Sequence, residues 1–166
     1  MLDIAYKHQS KLKELYTDFI CTDKAFWYRN HYYTSYEVTV DNDDFHRFQK
    51  VSLDKKGNIL GYFSADTDLT ARKVLSIGAI NFKGNINYTF SKDFYLFLKS
   101  LYNNPLLRLI EWSVIVGNPI ESMYDKICKK YRGRIVGTNI KTDLLDDGKY
   151  YDKKYYQIFT NNGGCR

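Results

Sequence analysis

Apolar residues recur three and four apart at Leu12, Leu15, Tyr16 and Phe19, which predicts an amphipathic helix over 11–19 after a short strand at 2–6. An aromatic-rich block, KAFWYRNHYYTSYE at 24–37, reads as a second short helix followed by a loop. Segments 45–53 and 59–66 are strand-like, and the DKKGN between them supplies Gly57 and Asn58, which tolerate the positive φ of a hairpin turn. RKVLSIGAINF at 72–82 is a third strand of this meander, with Gly78 marking a bulge or a close approach. Ser91 then caps a helix whose inner side is Phe94, Phe97, Leu98 and Leu101, and whose early Asp93 suits the positive end of the dipole. A strand at 107–116, a helix at 119–131, a strand at 134–140 and a last strand at 155–159 complete the chain. No linker or repeat divides it, so residues 1–160 are expected to form one domain and 161–166 a frayed tail.

The length of 166 residues is enough for a core without staples. Aromatic residues make up 17% and charged residues 27%, the composition of a folded domain. A net charge of +6 favours a polyanionic partner such as a nucleotide cofactor or a nucleic acid. The lysines are dispersed among aspartates, as in DLLDDGKYYDKKYY, and form no basic stripe, which weighs against nucleic acid. Cys21, Cys128 and Cys165 lack redox or metal spacing, and His8, His31 and His46 are isolated, so no metal is expected. With no apolar signal core and no apolar run near the roughly 20 residues needed to span a bilayer, the expected setting is a reducing cytoplasm without a membrane partner.

The stretch VIVGNPIESMYDKICKKYRGRIVG at 114–137 holds the most specific pattern. Ile120, Met123, Tyr124, Ile127, Cys128 and Tyr131 fall on one helical stripe, so Tyr124 faces the sheet. Pro119 fits a first turn, and Lys129 and Lys130 fit the negative end of the dipole. Periodicity by itself makes Tyr124 a core tyrosine, Cys128 a small buried hydrophobe and Asn118 an ordinary helix cap.

The order of meander, helix, strand, Asn118-Pro119, helix with inward Tyr124 and a Tyr131-to-Gly133 turn into another strand resembles the GCN5-related N-acetyltransferase (GNAT) superfamily. The resemblance spans about residues 45 to 159 and is nearest to small GNAT-like proteins of phages and low-GC Gram-positive bacteria. It implies an α/β (α+β) fold with a mixed, mostly antiparallel sheet of six to seven strands flanked by about four helices. It also implies acetyl-CoA as cofactor and direct attack of an amine, on a small molecule or a protein, on the thioester. Tyr124 would be the acid toward the departing thiolate, since a phenol with a reference pKa of about 10 stays protonated at neutral pH. Asn118 would hold the pantetheine arm, and a backbone N–H near Ile80 or Phe82 would meet the thioester carbonyl where strand 76–82 splays from strand 111–116.

The family's phosphate loop is glycine-rich, whereas FKGNINYTFSKD offers Gly84 as its single glycine, with Lys83, Ser91 and Lys92 as further binding candidates and Asn85 and Asn87 as tolerant of positive φ. Asp93, Tyr88 and Phe90 are less welcoming to phosphate, which keeps open a non-catalytic binding protein on the same fold. No general base is assigned, because the strand at 72–82 has no carboxylate and Glu111 and Asp66 read as strand-end residues. The FWYRNHYY block either lines an acceptor pocket, stacks nucleobases, or packs a helix on the sheet with Arg29 and His31 at the rim. Relatives also imply a monomer or a homodimer paired through the last strands.

Overall fold

The computed structural model describes residues 1–29, 35–42, 45–84 and 87–161. Expectations for His31, Tyr32, Tyr33, Asn85, Cys165 and the tail 162–166 fall outside the described residues.

The strands are β1 (Leu2–Ile4), β2 (Arg47–Leu53), β3 (Ile59–Asp68), β4 (Lys73–Asn81), β5 (Leu109–Ile115), β6 (Arg134–Leu144) and β7 (Tyr150–Phe159). They form one sheet of seven strands in the order β1-β2-β3-β4-β5-β7-β6. Every neighbouring pair is antiparallel except β4 and β5, which are parallel. The helices are α1 (Gln9–Ile20), α2 (Tyr88–Tyr102) and α3 (Glu121–Lys130), with a 3-10 turn at Ala5–His8 and a longer 3-10 segment at Asp23–Tyr28. The mixed, mostly antiparallel sheet with flanking helices is the architecture the sequence implies.

Two cores form because β-strand side chains alternate between faces. On one face Phe63, Val74, Trp112, Val114 and Tyr156 pack against Phe94 and Phe97 of α2 and against Tyr124 and Ile127 of α3. On the other, Val51, Leu53, Tyr62 and Ile80 pack against Leu12, Phe19 and Ile20 of α1 and against Ala25 of the 3-10 segment. The predicted apolar sides of α1 and α2 are the buried ones, because 3.6-residue periodicity fixes which face can leave water. Gly78 is a close-approach point: a Cβ there would lie 2.6 Å from the Ser64 hydroxyl across the ladder.

Several boundaries differ from the sequence reading. Ser91 is not the cap of α2: the helix starts at Tyr88, the Asn87 side chain accepts the Phe90 N–H at 3.1 Å, and the Ser91 N–H is already bonded to the Asn87 carbonyl. Regular helix in α3 begins at Glu121, after an Asn118-Pro119-Ile120 turn in which the Asn118 side chain accepts the Ile120 N–H at 3.1 Å. β6 and β7 are longer than expected: β6 is exposed along most of its length and β7 is mostly half-buried with Asp152, Lys153 and Lys154 in its middle, so no apolar alternation marks their extent.

Candidate active site

Where β4 meets β5 the sheet is joined by two residue pairs, Lys73 with Leu109 and Val74 with Ile110. β4 stays paired to β3 as far as Asn81, and β5 stays paired to β7 as far as Ile115. The two strands therefore diverge from Val74 onward and open a wedge, as expected for strands 76–82 and 111–116. Backbone groups on the inner edges of such a wedge lack sheet partners, and a ligand with amide groups can supply them.

Which β4 groups face the wedge follows from ladder alternation. Phe82 donates its N–H to the Leu60 carbonyl at 3.1 Å, and the register then directs Ile80 and Gly78 toward β3 as well. The intervening residue Ala79 turns both its N–H and its carbonyl toward β5. The donor expected at Ile80 or Phe82 thus moves to Ala79. The Ile80 side chain also faces away, lining a different hollow with Tyr62 and Asp66.

The inner part of the wedge is a cleft of about 190 Å³ between β4 residues 77–79 and β5 residues 113–115, closed by Trp27, Tyr28, Asn118, Tyr124 and Lys153. The outer part, about 300 Å³, runs between the starts of α2 and α3 past Lys24, Gly84, Asn87, Ser91 and Asn118. Trp27, Tyr28, Ala79, Asn118 and Ile120 border both, so the two spaces meet at that waist. Of the sequence candidates, Tyr124 and Asn118 come together in the inner cleft, and Gly84, Ser91 and Asn118 along the outer groove. Lys83 and Lys92 are exposed and border neither space.

Tyr124 is 4% exposed, with Phe94, Trp112 and Tyr156 packed round its ring at centroid distances of 6.0 to 6.2 Å. Among the described residues its hydroxyl has no hydrogen-bond partner, and it borders the cleft. Burial, and secondarily the Tyr28 hydroxyl, push its pKa well above the ordinary phenol value. Tyr124 is therefore a neutral hydrogen-bond donor at any physiological pH. As a donor to a developing thiolate, whose reference pKa is about 8.5, it favours bonding over early proton loss.

The start of the aromatic block, for which pocket lining is one of the sequence readings, completes the walls. Phe26, Trp27 and Tyr151 form an edge-to-face cluster with centroids 5.1 to 6.2 Å apart, joining the 3-10 segment to β7. Tyr28 donates its hydroxyl to the Ala79 carbonyl at 2.8 Å, and burial pushes its pKa up to about 12. Lys24 lies across Gly84, whose φ is +70°; a Cβ on that glycine would sit 3.0 Å from the lysine Cδ. Lys24, from a segment distant in sequence, thus lies against the loop expected to take phosphates and borders the groove there, a proximity that local motif reading does not detect. Lys153 is ion-paired with Asp143 at 2.9 Å. Among the described residues no carboxylate borders the inner cleft. Glu111 is held by Lys73 and Gln157, and Asp66 by Arg47 and Ser76, so neither is poised as a base.

Comparison with solved structures decides the fold. A spermidine N-acetyltransferase from Vibrio cholerae in complex with CoA and spermine superposes with a TM-score of 0.72, covering 98% of this chain and 96% of that one at 15% identity. The chain has the GNAT fold. Spermidine/spermine N-acetyltransferase from the same organism, in complex with manganese ions, matches this chain with a TM-score of 0.58 and 18% identity over 70% of this chain's length. The chain spans 66% of that structure, and the same share of a dodecameric form matched at a TM-score of 0.58 and 18% identity. No protein-family model matches the sequence, and no curated protein does.

Proposed function

We propose that the chain is an acetyl-CoA-dependent N-acyltransferase that moves an acetyl group to an amine by direct attack on the thioester. The observation that carries this reading is the wedge between β4 and β5, with the unpaired Tyr124 hydroxyl and the Ala79 backbone both turned into it. The Tyr124 hydroxyl opens onto the cleft with no protein partner among the described residues, so it is free to donate to a ligand there. Donor chemistry fits the group: an arm with amide and thioester carbonyls finds an N–H at Ala79 and a phenol at Tyr124, while Asn118, Ser91 and Lys24 border the path outward.

Acetyl-CoA, when bound, supplies an activated acyl group and a sulfur leaving group. The chain's own residues then have separable tasks. The Ala79 N–H holds the carbonyl oxygen as negative charge develops there. With acetyl-CoA bound, attack by the acceptor nitrogen on the thioester carbon would expel the sulfur with its electron pair, and Tyr124, which borders the cleft, would donate its proton to that sulfur. The proton lost from nitrogen passes to solvent, since no carboxylate among the described residues borders the inner cleft. The similarity to spermidine N-acetyltransferases supports an amine acceptor, on a small molecule or a protein. The reading includes a cytoplasmic setting, a single domain over 1–160, a phage-like or low-GC Gram-positive type, and a monomer or homodimer.

The second reading, a GNAT-fold interaction protein without a working coenzyme site, is favoured by the exposed positions of Lys83 and Lys92 outside the groove. Titration of acetyl-CoA by calorimetry separates the two. Micromolar binding, followed by CoA release with an amine panel, supports the enzyme; no binding at millimolar acetyl-CoA overturns it in favour of the interaction protein.

A further inference from the structure

We propose that Tyr28 is a latch on the cofactor cleft, holding the Ala79 carbonyl closed until an incoming pantetheine arm displaces its hydroxyl. The inference rests on the acyltransferase reading of the same cleft.

Three independent observations lead there. Ala79 presents its N–H and carbonyl to the wedge, and β5 pairing ends at Val74, so no strand satisfies that carbonyl. The partner it has instead is a side chain 51 residues away, the Tyr28 hydroxyl at 2.8 Å. Tyr28 also stands at the waist, bordering both the inner cleft and the outer groove, so an arm that reaches Tyr124 from outside must pass it.

A strand-like arm pairs through both the N–H and the carbonyl of one β4 residue. With the carbonyl occupied, half of that pairing is withheld. The latch is built to open without disturbing its base. The 3-10 segment is anchored by fully buried Ala25, and just past its end Arg29 meets Asp146 at 2.7 Å. Tyr28 packs on Phe19 edge-to-face at 5.6 Å yet stays 40% exposed, so a rotation about its side-chain bonds carries the ring toward solvent while Ala25 and Arg29 hold. Lys24 on the same segment reaches Gly84 at the far end of the groove, which places one short stretch of chain in contact with both ends of the expected cofactor path.

The test uses coenzyme A itself as the probe, titrated by calorimetry into the wild-type protein and into Tyr28→Phe, which keeps the ring and deletes the hydroxyl. The latch predicts about fivefold tighter coenzyme A binding in Tyr28→Phe, the size expected from one net hydrogen bond. In carbonyl-labelled protein without ligand, the Ala79 carbonyl resonance should move on the same substitution, and it should move again in wild type when coenzyme A is added. Equal or weaker binding by Tyr28→Phe, with wild type binding, overturns the latch and leaves the acyltransferase reading standing. Absence of coenzyme A binding in both proteins, each with a cooperative thermal transition, overturns that reading and the latch with it.

Discussion

β3 and β4 are zipped along eight residue pairs, while β4 and β5 share two. The strands on either side of the second boundary live in different surroundings. β2 and β3 have helical cover on both faces, from α2 on one side and α1 with the 3-10 segment on the other. β5 and β7 are buried on one face beneath α3, and their other face carries a polar ladder in which Lys73 meets Glu111, Gln157 donates to Glu111 at 2.6 Å, and Arg134 donates to Gln157 at 2.8 Å. The lesson is that the cleft belongs to neither half. Each half satisfies its own backbone, and the unsatisfied groups collect where they diverge.

The largest effect should come from loosening the join. Ile110, 2% exposed and one of the two β5 pairing positions, should lose about 3 kcal/mol on change to Ala, read as a shift in the urea midpoint without a change in slope. Next comes the contrast between two neighbouring tyrosines in the shared aromatic cluster. Tyr156 donates to Asp125 at 2.7 Å and is fully buried, whereas Tyr124 has its hydroxyl free in the cleft. Tyr124→Phe should lower kcat on the order of a hundredfold with coenzyme A affinity and thermal stability kept; Tyr156→Phe should cost about 1–2 kcal/mol of stability instead. Wild-type activity should show no alkaline loss from Tyr124 ionisation up to pH 10, because its pKa is raised and the donor form persists there.

A smaller effect tests which cation serves the outer groove. Lys24→Ala should weaken coenzyme A binding about fivefold, less so at high salt, while Lys83→Ala and Lys92→Ala stay within about twofold of wild type. The smallest lies at the far edge of the sheet. Asp3 is lowered to about 2, chiefly by the His8 hydrogen bond and next by the Ile4 N–H. Its folded-state pKa is depressed from 3.8, so its contribution is full above about pH 4 and is lost as pH falls toward 2. Asp3→Asn should therefore remove about 0.5–1 kcal/mol at pH 7 and almost nothing at pH 2, measured by denaturant melts at both values.

Helical periodicity made α1, α2 and the inward face of Tyr124 legible in the sequence, because one buried stripe forces one pattern. The β4–β5 divergence was legible through the resemblance rather than through any residue preference. What escaped reading has physical causes. Neither the edge strand β6 nor its inner neighbour β7 has an apolar alternation to mark its full length. The face of β4 that meets the cleft depends on which residue of a ladder bonds to β3, and a register slip near Asp66 and Thr67 shifts that by one. Lys24 and Tyr28 join the site through contacts more than 50 residues distant in the chain, to Gly84 and Ala79, and no local pattern encodes such a pairing.

The chain's two tryptophans fall on opposite sides of this division. Trp112 lies flat against Tyr156 at 5.0 Å, 4% exposed in the core. Trp27 stands at the waist of the cleft, its ring 3.4 Å from where a Gly117 Cβ would be. The protein therefore carries its own pair of optical reporters. Light emitted by Trp27 senses whatever enters the groove, Trp112 serves as an internal reference for the core, and a soluble quencher separates the two signals without any attached label.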